Sequence, residues 1–324
     1  MSHEILLSIF AVISGFVLLV WGADRFVHGA ASIARNLGVS PMIIGLTIVG
    51  MGTSAPEILV SGVAAWQGNP ALGVGNALGS NITNIALVLG LTALICPLAV
   101  QSQTLNREYP VMFIIMLLAL WLLSDGELSR MDGSILMIGL VIMVGWMIGL
   151  GKREKFDPLE AEFEHEIPFI STGRALFWLA VGMIILLGSS RILVWGSVNI
   201  AQAMGISDLI IGLTIVAIGT SMPELAASIV SALKKEPDIA IGNVLGSNMF
   251  NLLAVLGLPG LIQPHTLEPE ILTRDFPWMI GLSIALFAMA YGFRDKGRIN
   301  RLEGSLLMMS YFIYLTVLYF SVTR

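Results

Sequence analysis

Ten stretches of apolar residues, most of them long enough to cross a bilayer, alternate with short polar connections along the 324-residue sequence. A hydrocarbon core of about 30 Å requires roughly 20 helical residues, and lipid offers the backbone no hydrogen-bond partners. The stretches are continuous rather than alternating, which favours membrane helices over the strands of a barrel. We predict helical spans at about residues 5–26, 41–66, 72–95, 110–123, 134–150, 175–194, 209–233, 239–262, 277–291 and 305–321.

Composition excludes a soluble globular protein. The chain is 56% hydrophobic and only 12% charged, whereas a soluble domain carries about 25% charged residues. The single cysteine, Cys96, excludes an internal disulfide framework. The first apolar run follows the acidic Glu4 and lacks the basic segment of a cleavable signal, so we interpret it as the first membrane helix.

An internal repeat organises the chain. Residues 37–95 recur as residues 204–262 at a constant shift of 167, and 31 of the 59 aligned positions are identical. We therefore predict a five-helix repeat at 1–150, a polar linker at 151–174 and a second five-helix repeat at 175–324. Because five is odd, the second copy enters the membrane upside down. Inverted repeats are typical of alternating-access transporters, whose substrate site lies near the midplane between the copies.

The distribution of Lys and Arg predicts the orientation. With the N-terminus outside, 13 of the 17 basic residues fall on connections that face the cytoplasm. This excess agrees with the positive-inside rule. We therefore expect both termini on the non-cytoplasmic side.

Glu57 and Glu224 are the only acidic residues, of 22, that lie well inside predicted spans. A charge at the centre of a membrane helix costs at least about 2.5–3.5 kcal/mol, so such residues usually face a polar interior or a pathway. The two are equivalent in the repeat and can approach one midplane point from opposite sides. Two carboxylates at one point repel each other, and a divalent cation would compensate both.

The motif around each glutamate adds oxygen ligands and a helix break. Thr53 lies four residues before Glu57, on the same helix face, and Ser54 is adjacent. Gly52 and Pro56 should interrupt the helix, which frees carbonyl groups and presents the negative end of a half-helix to a cation. The second copy repeats these residues as Gly219, Thr220, Ser221, Pro223 and Glu224.

The span that follows each motif carries further polar residues four apart. These are Ser80 and Asn84 in the first copy, and Ser247 and Asn251 in the second. An all-oxygen set of this kind suits Ca²⁺ and Na⁺ rather than zinc or copper. The four histidines are expected near termini or in connections. Neighbouring amides should hold the ligands by hydrogen bonds rather than coordinate the ion themselves: Asn76, Asn81, Asn243 and Asn248.

These paired motifs resemble a known family. GTSAPE with GNALGSNITN, and GTSMPE with GNVLGSNMFN, are similar to the two alpha-repeats of the Ca²⁺/cation antiporter superfamily, specifically prokaryotic sodium/calcium exchangers of the inner membrane. The resemblance implies an exchanger-like fold of ten helices, with alpha-repeat motifs at about 37–95 and 204–262. It also implies that the first and sixth spans slide past the other eight. The ion ligands that it implies are Glu57, Glu224, Thr53, Ser54, Ser80, Thr220, Ser221 and Ser247, with backbone carbonyls near Gly50 and Ala217.

Two departures bear on ion coupling. Exchangers of the family often carry Asp where this chain has Asn251, which leaves the number of exchanged Na⁺ ions open. Proton/calcium members carry Glu where Ser80 and Ser247 stand, which weakens proton coupling without excluding it.

The sequence thus predicts a Ca²⁺/Na⁺ antiporter rather than an enzyme. The alternatives are an H⁺- or K⁺-coupled exchanger of the same fold and, further off, a passive cation channel. An intramembrane hydrolase would need a histidine-based metal motif or a serine with a base, which the candidate site lacks. We expect the transported ions and the bilayer as partners, with no cofactor, nucleic acid or obligate protein partner.

Overall fold

The computed structural model describes residues 3–100, 106–153, 170–204, 217–291 and 297–322. The helices of the first half are α1 (His3–Leu37), α2 (Pro41–Ile44), α3 (Gly50–Thr53), α4 (Ala55–Trp66), α5 (Pro70–Thr83), α6 (Gly90–Ile95), α7 (Glu108–Leu122) and α8 (Arg130–Arg153). Those of the second half are α9 (Thr172–Ala203), α10 (Ala217–Thr220), α11 (Met222–Leu233), α12 (Pro237–Phe250), α13 (Gly257–Ile262), α14 (Phe276–Tyr291) and α15 (Arg301–Val322). π-Helical turns occupy Gly45–Val49, Asn84–Leu89, Asn251–Val255 and Ile271–Asp275.

The helices agree with a polytopic membrane protein. In the described residues, seven helices are long and apolar enough to span a bilayer, and the bent pair Met42–Thr53 and Ala55–Trp66 makes eight. Two shorter apolar helices, α7 and α11, would complete the ten predicted spans. Much of the segment before α11 and most of the predicted linker lie outside the described residues, so the count of ten stays a prediction.

Two predicted spans were too short. The helix α1 continues past residue 26 to Leu37, and α9 covers Thr172–Ala203 rather than 175–194. At 1.5 Å per residue, the 35 residues of α1 extend about 50 Å, well beyond a hydrocarbon core. His28 therefore lies within a helix and not in a connection. The length of an apolar run reports the thickness of the membrane and not where the helix ends.

The helices α1 and α9 pack against each other through small residues. Gly15, Gly22 and Gly29 recur every seventh position of α1, and a Cβ atom on Gly29 would lie 2.5 Å from the Leu179 nitrogen. On α9, a Cβ on Gly182 would lie 2.3 Å from the Phe26 nitrogen. Such glycines let helix backbones approach closely in a membrane. This pair contributes most of a small apolar cluster that is separate from the main core.

Glycines also bring the two repeats together. A Cβ on Gly246 of α12 would lie 2.3 Å from the Leu46 carbonyl oxygen, and one on Gly242 would lie 2.7 Å from that of Met42. The broken span of the first repeat therefore packs directly on α12 of the second. This contact places the two polar motifs side by side.

Two short antiparallel ribbons connect the halves, each pairing one strand from the first half with one from the second. The strands are β1 (Leu98–Ala99), β2 (Glu127–Leu128), β3 (His265–Thr266) and β4 (Arg298–Ile299). β1 pairs antiparallel with β4, and β2 with β3, so each ribbon takes one strand from each half. With ten crossings, β1 and β4 would lie on one side of the membrane and β2 and β3 on the other. The ribbons thus fit the predicted inverted arrangement.

Two acidic residues that the sequence did not single out are also buried. Glu108, at the start of α7, is fully buried and forms an ion pair with Arg107. Its equivalent at the shift of 167, Asp275, pairs with Arg274 at 2.8 Å and accepts a hydrogen bond from the Tyr314 hydroxyl at 2.9 Å. Both carboxylates lie beside a basic partner at a helix start, which identifies them as structural ion pairs.

Candidate ion-binding site

Both spans that carry the polar motif are interrupted at its serine. The helices α3 and α4 meet at Ser54, whose φ and ψ are −80° and 0°, and the segments Met42–Thr53 and Ala55–Trp66 differ in direction by 42°. The equivalent Ser221, with φ −87° and ψ 6°, separates α10 from α11. Pro56 and Pro223 each lie in the first turn of the new half-helix. Proline is well tolerated there, because the first N–H groups of a helix have no intrahelical partner.

Glu57 and Glu224 lie in the first turn of these half-helices, three residues after the interruption. Both side chains are buried, at 1% and 0% exposure, and their charges lie close enough to interact. Within the described residues, both carboxylate oxygens of Glu57 and the Oε2 atom of Glu224 lack a hydrogen-bond partner. Unpaired buried carboxylates are costly, and a bound cation would compensate them.

Ser247 joins the two repeats at the centre of the site. Its hydroxyl accepts hydrogen bonds from the Ser54 hydroxyl at 2.7 Å and from the Asn84 amide at 3.0 Å. It donates to the Glu224 carboxylate at 3.3 Å. A serine hydroxyl has one proton and two lone pairs, so these three contacts use its full capacity. Ser247 would have to release one of them to coordinate an ion.

Thr53 faces several acceptors. Its hydroxyl lies 3.1 Å from the Val49 carbonyl, 3.3 Å from the Gly50 carbonyl and 3.0 Å from Oδ1 of Asn243, across the repeat boundary. The Gly50 carbonyl also accepts the backbone N–H of Ser54 at 3.1 Å. The hydroxyls of Thr53 and Ser54 both lie near the Glu224 carboxylate. The first repeat therefore places two hydroxyl groups beside the acidic residue of the second.

The remaining predicted residues either make few hydrogen bonds or make them within their own helix. Asn84 also donates to Oδ1 of Asn248 at 3.1 Å, while Asn81 donates within its own helix to the Ala77 carbonyl at 2.7 Å. Ser80 lies 3.5 Å from Oδ1 of Asn76. In the described part of the chain, the Asn251 amide and the Ser221 hydroxyl are buried without a hydrogen-bond partner. Ala217 and Thr220 begin and end α10.

Two buried serines belong to the site although the sequence analysis did not identify them. Ser61 and Ser228 are both fully buried, and each accepts a hydrogen bond from an asparagine side chain that also contacts the carbonyl of a site glutamate. Both serines follow their glutamate by four residues, on the same helix face. The signal was available, because the two positions are identical in the internal repeat.

The chemistry of this arrangement is that of a hard-cation site. It combines carboxylate, hydroxyl and amide oxygens, the ligand types that Ca²⁺ and Na⁺ take in proteins. In the residues that the structure describes, no cluster of three or more His, Cys, Asp or Glu side chains is arranged to hold a metal ion. The oxygens beyond the two glutamates are neutral.

Comparisons with known proteins agree with this chemistry. The profile of the sodium/calcium exchanger protein family matches residues 7–149 and 174–320. The chain is 51% identical to the putative antiporter CaxA of Alkalimonas amylolytica, over 96% of this chain and 98% of that protein. It is 40% identical to the inner membrane protein YrbG of Escherichia coli, over 97% of each.

A solved structure has the same fold. The sodium-calcium exchanger NCX_Mj, soaked with Na⁺ and Sr²⁺, superposes with a TM-score of 0.82 at 33% identity, over 96% of this chain and 98% of that one. Its match extends across both halves and not only over the motifs. The fold is thus that of an exchanger, and the matched family is one of transporters. The chain belongs to the sodium/calcium exchanger protein family.

Proposed function

We propose that this protein exchanges Ca²⁺ for Na⁺ across the membrane, with Glu57 and Glu224 as the central ligands of a single alternating-access site. The observation that carries the proposal is the pair of buried, interacting carboxylates, one from each repeat, whose oxygens are largely without protein partners. The exchanger named among the structural relatives supports the choice of ions.

Each group in the site has a role in this proposal. The two carboxylates together compensate one Ca²⁺ or an equivalent charge of Na⁺. Neutral groups complete the coordination, above all of the singly charged Na⁺ ions. They are the hydroxyls of Thr53, Ser54 and Ser80, the amide of Asn84 and the equivalent groups of the second repeat. The contacts of Ser247 with Ser54, Asn84 and Glu224 would rearrange as ions enter.

Alternation would come from movement of the α1 and α9 pair over the remaining helices. The close contacts of glycines between α1 and α9 support movement of the two helices as one unit. Two glycines of the motifs lie against the pair: a Cβ on Gly52 would lie 2.3 Å from the Met183 side chain, and one on Gly219 would lie 2.1 Å from that of Val194. Sliding of the pair would therefore change the packing next to the ion ligands.

Flux into reconstituted vesicles tests the proposal. Vesicles loaded with Na⁺ should accumulate radioactive Ca²⁺ when diluted into Na⁺-free medium. Matched vesicles with only a proton gradient or a K⁺ gradient should not. Uptake driven by H⁺ or K⁺ alone would identify the other coupling ions, and conductance without saturable counterflow would indicate a channel.

Substitution of the glutamates tests the site. Glu57→Gln and Glu224→Gln should each abolish Na⁺-dependent Ca²⁺ uptake, because one carboxylate cannot compensate a divalent ion in a buried site. Glu127→Gln, at an exposed position of β2, is the matched control and should transport as the unmodified protein does. Full transport by either site variant would refute the assignment.

A further inference from the structure

Asn243 has every polar atom of its side chain engaged. Its Nδ2 group donates to the backbone carbonyl of Glu224 at 3.2 Å and to the Ser228 hydroxyl at 2.9 Å. Its Oδ1 atom accepts the Thr53 hydroxyl at 3.0 Å. The residue is fully buried. One planar amide therefore connects a hydroxyl of the first repeat to the acidic half-helix of the second.

The chemistry of these partners fixes which way the amide points. The Glu224 carbonyl can only accept a hydrogen bond, so the nitrogen of the Asn243 side chain must face it. The oxygen must then face Thr53. Since the oxygen can only accept, the hydroxyl proton of Thr53 is drawn towards Asn243. Its lone pairs are left for other partners.

A hydroxyl coordinates a cation through its lone pairs, so its proton must point elsewhere. The carbonyls of Val49 and Gly50 compete for the same proton from within the Thr53 helix, at 3.1 Å and 3.3 Å. A bond to either would turn the hydroxyl along its own helix axis. The contact with Asn243 instead directs the proton across the repeat boundary to the amide oxygen, which leaves the lone pairs of the hydroxyl for an ion.

We propose that Asn243 is a positioning residue that orients the Thr53 hydroxyl for ion coordination while it holds the Glu224 half-helix through Ser228. This inference rests on the proposed exchange function and extends it to residues that would not touch the ion.

It also predicts a difference between the repeats. The equivalent Asn76 makes the same two amide contacts, to the Glu57 carbonyl at 3.2 Å and to Ser61 at 3.1 Å. Its Oδ1 atom, however, lies 3.5 Å from Ser80 of its own helix.

A double-mutant cycle on Ca²⁺ affinity tests the orienting role. Loss of a buried hydrogen bond of this kind typically changes an equilibrium constant several-fold to tens of fold, so we expect Asn243→Ala to weaken Ca²⁺ binding by the purified protein about tenfold. In a Thr53→Ala background the same change should weaken binding by no more than about threefold, because the hydroxyl that it orients is gone. A full tenfold loss in that background would overturn the orienting role.

Matched variants separate this role from general structural damage. Asn76→Ala should weaken binding by the same factor with and without Thr53→Ala, because Asn76 does not contact that hydroxyl. Ser228→Ala should weaken binding about threefold. Ser231→Ala, which removes another buried hydroxyl of α11 that has no hydrogen-bond partner in the described residues, should not change it. Equal affinities of the two serine variants would overturn the holding contact.

The outcome for the unmodified protein keeps the two proposals apart. If that protein binds no Ca²⁺ in the absence of Na⁺, the exchange function itself is refuted. If it binds Ca²⁺ and the cycle is additive, the exchange function stands and only the role of Asn243 fails. Melting temperatures measured without ions verify that each variant is folded.

Discussion

Ser80 and Ser247 occupy equivalent positions in the repeat but have different surroundings. Ser247 bonds to Ser54, Asn84 and Glu224, whereas Ser80 has one long contact with Asn76 in its own helix. The two halves of the site are therefore alike in sequence and unlike in hydrogen bonding.

The difference between the two serines can be measured by thermal unfolding. Ser247→Ala leaves a buried amide and a hydroxyl without their shared acceptor, so we expect a loss of roughly 1–3 kcal/mol and a clearly lower melting temperature in ion-free detergent solution. Ser80→Ala should lose less than about 1 kcal/mol, since its one contact is long. Equal losses would show that the cross-repeat network contributes nothing to stability.

At the scale of the elements, the close contact of α1 with α9 depends on glycine. Gly182 lies against the backbone of Phe26, whereas a Cβ on Gly188 of the same helix would meet no described atom within 4 Å. The two positions share a helix and a residue type. They differ only in what surrounds them, which makes them a matched pair for testing whether the contact matters.

We predict opposite effects of alanine at these two positions. Gly182→Ala should lower both the melting temperature and the maximal exchange rate, because the backbones of α1 and α9 must separate to admit the methyl group. Gly188→Ala should leave exchange unchanged and stabilise the protein slightly, since alanine is favoured over glycine in a helix by about 1 kcal/mol. Unfolding curves and Na⁺-dependent Ca²⁺ uptake measure both effects. The packing argument would fail if Gly182→Ala behaved like Gly188→Ala.

At the scale of the whole molecule, the ribbons and the α1 and α9 pair suggest two bodies. The strands β1 and β4 tie the two halves together outside α1 and α9, with Ala99 opposite Arg298. Asp24 of α1 forms an ion pair with Lys234 of the other body at 2.8 Å. A link within one body should be harmless, and a link between the bodies should stop their relative movement.

Cross-linking tests this division. In a Cys96→Ser background, Ala99→Cys with Arg298→Cys should form a disulfide without loss of exchange, because opposite residues in an antiparallel pair lie within disulfide range. Asp24→Cys with Lys234→Cys, joined by a cleavable bifunctional reagent, should block exchange until the reagent is cleaved. Exchange that survives the second link would contradict the sliding of α1 and α9.

The orientation predicted from the basic residues can be tested in the same Cys96→Ser background. A membrane-impermeant maleimide should label Asp125→Cys in intact cells, and it should label Lys234→Cys only after the membrane is permeabilised. Asp125 follows the predicted fourth span and Lys234 the seventh, which places them on opposite sides. The reverse labelling pattern would invert the topology and place both termini in the cytoplasm.

The sequence by itself determined the membrane class, the internal repeat and the equivalence of Glu57 and Glu224. Apolar run lengths and a constant shift of 167 can be read directly along the chain. The cost of burying a charge makes an acidic residue inside an apolar span a candidate functional group. The true lengths of α1 and α9 escaped this reasoning, since helices continue beyond the membrane without an apolar signal.

Only the tertiary structure decided which copy contacts which. Thr53 and Asn243 are 190 residues apart, and Ser54 and Ser247 are 193 apart. Identical motifs cannot reveal that one serine is saturated with hydrogen bonds while its equivalent is not, or that the ribbons exchange strands. Those features depend on how the two inverted copies dock, and docking depends on the shape of the packed helices rather than on the spacing of residues along the chain.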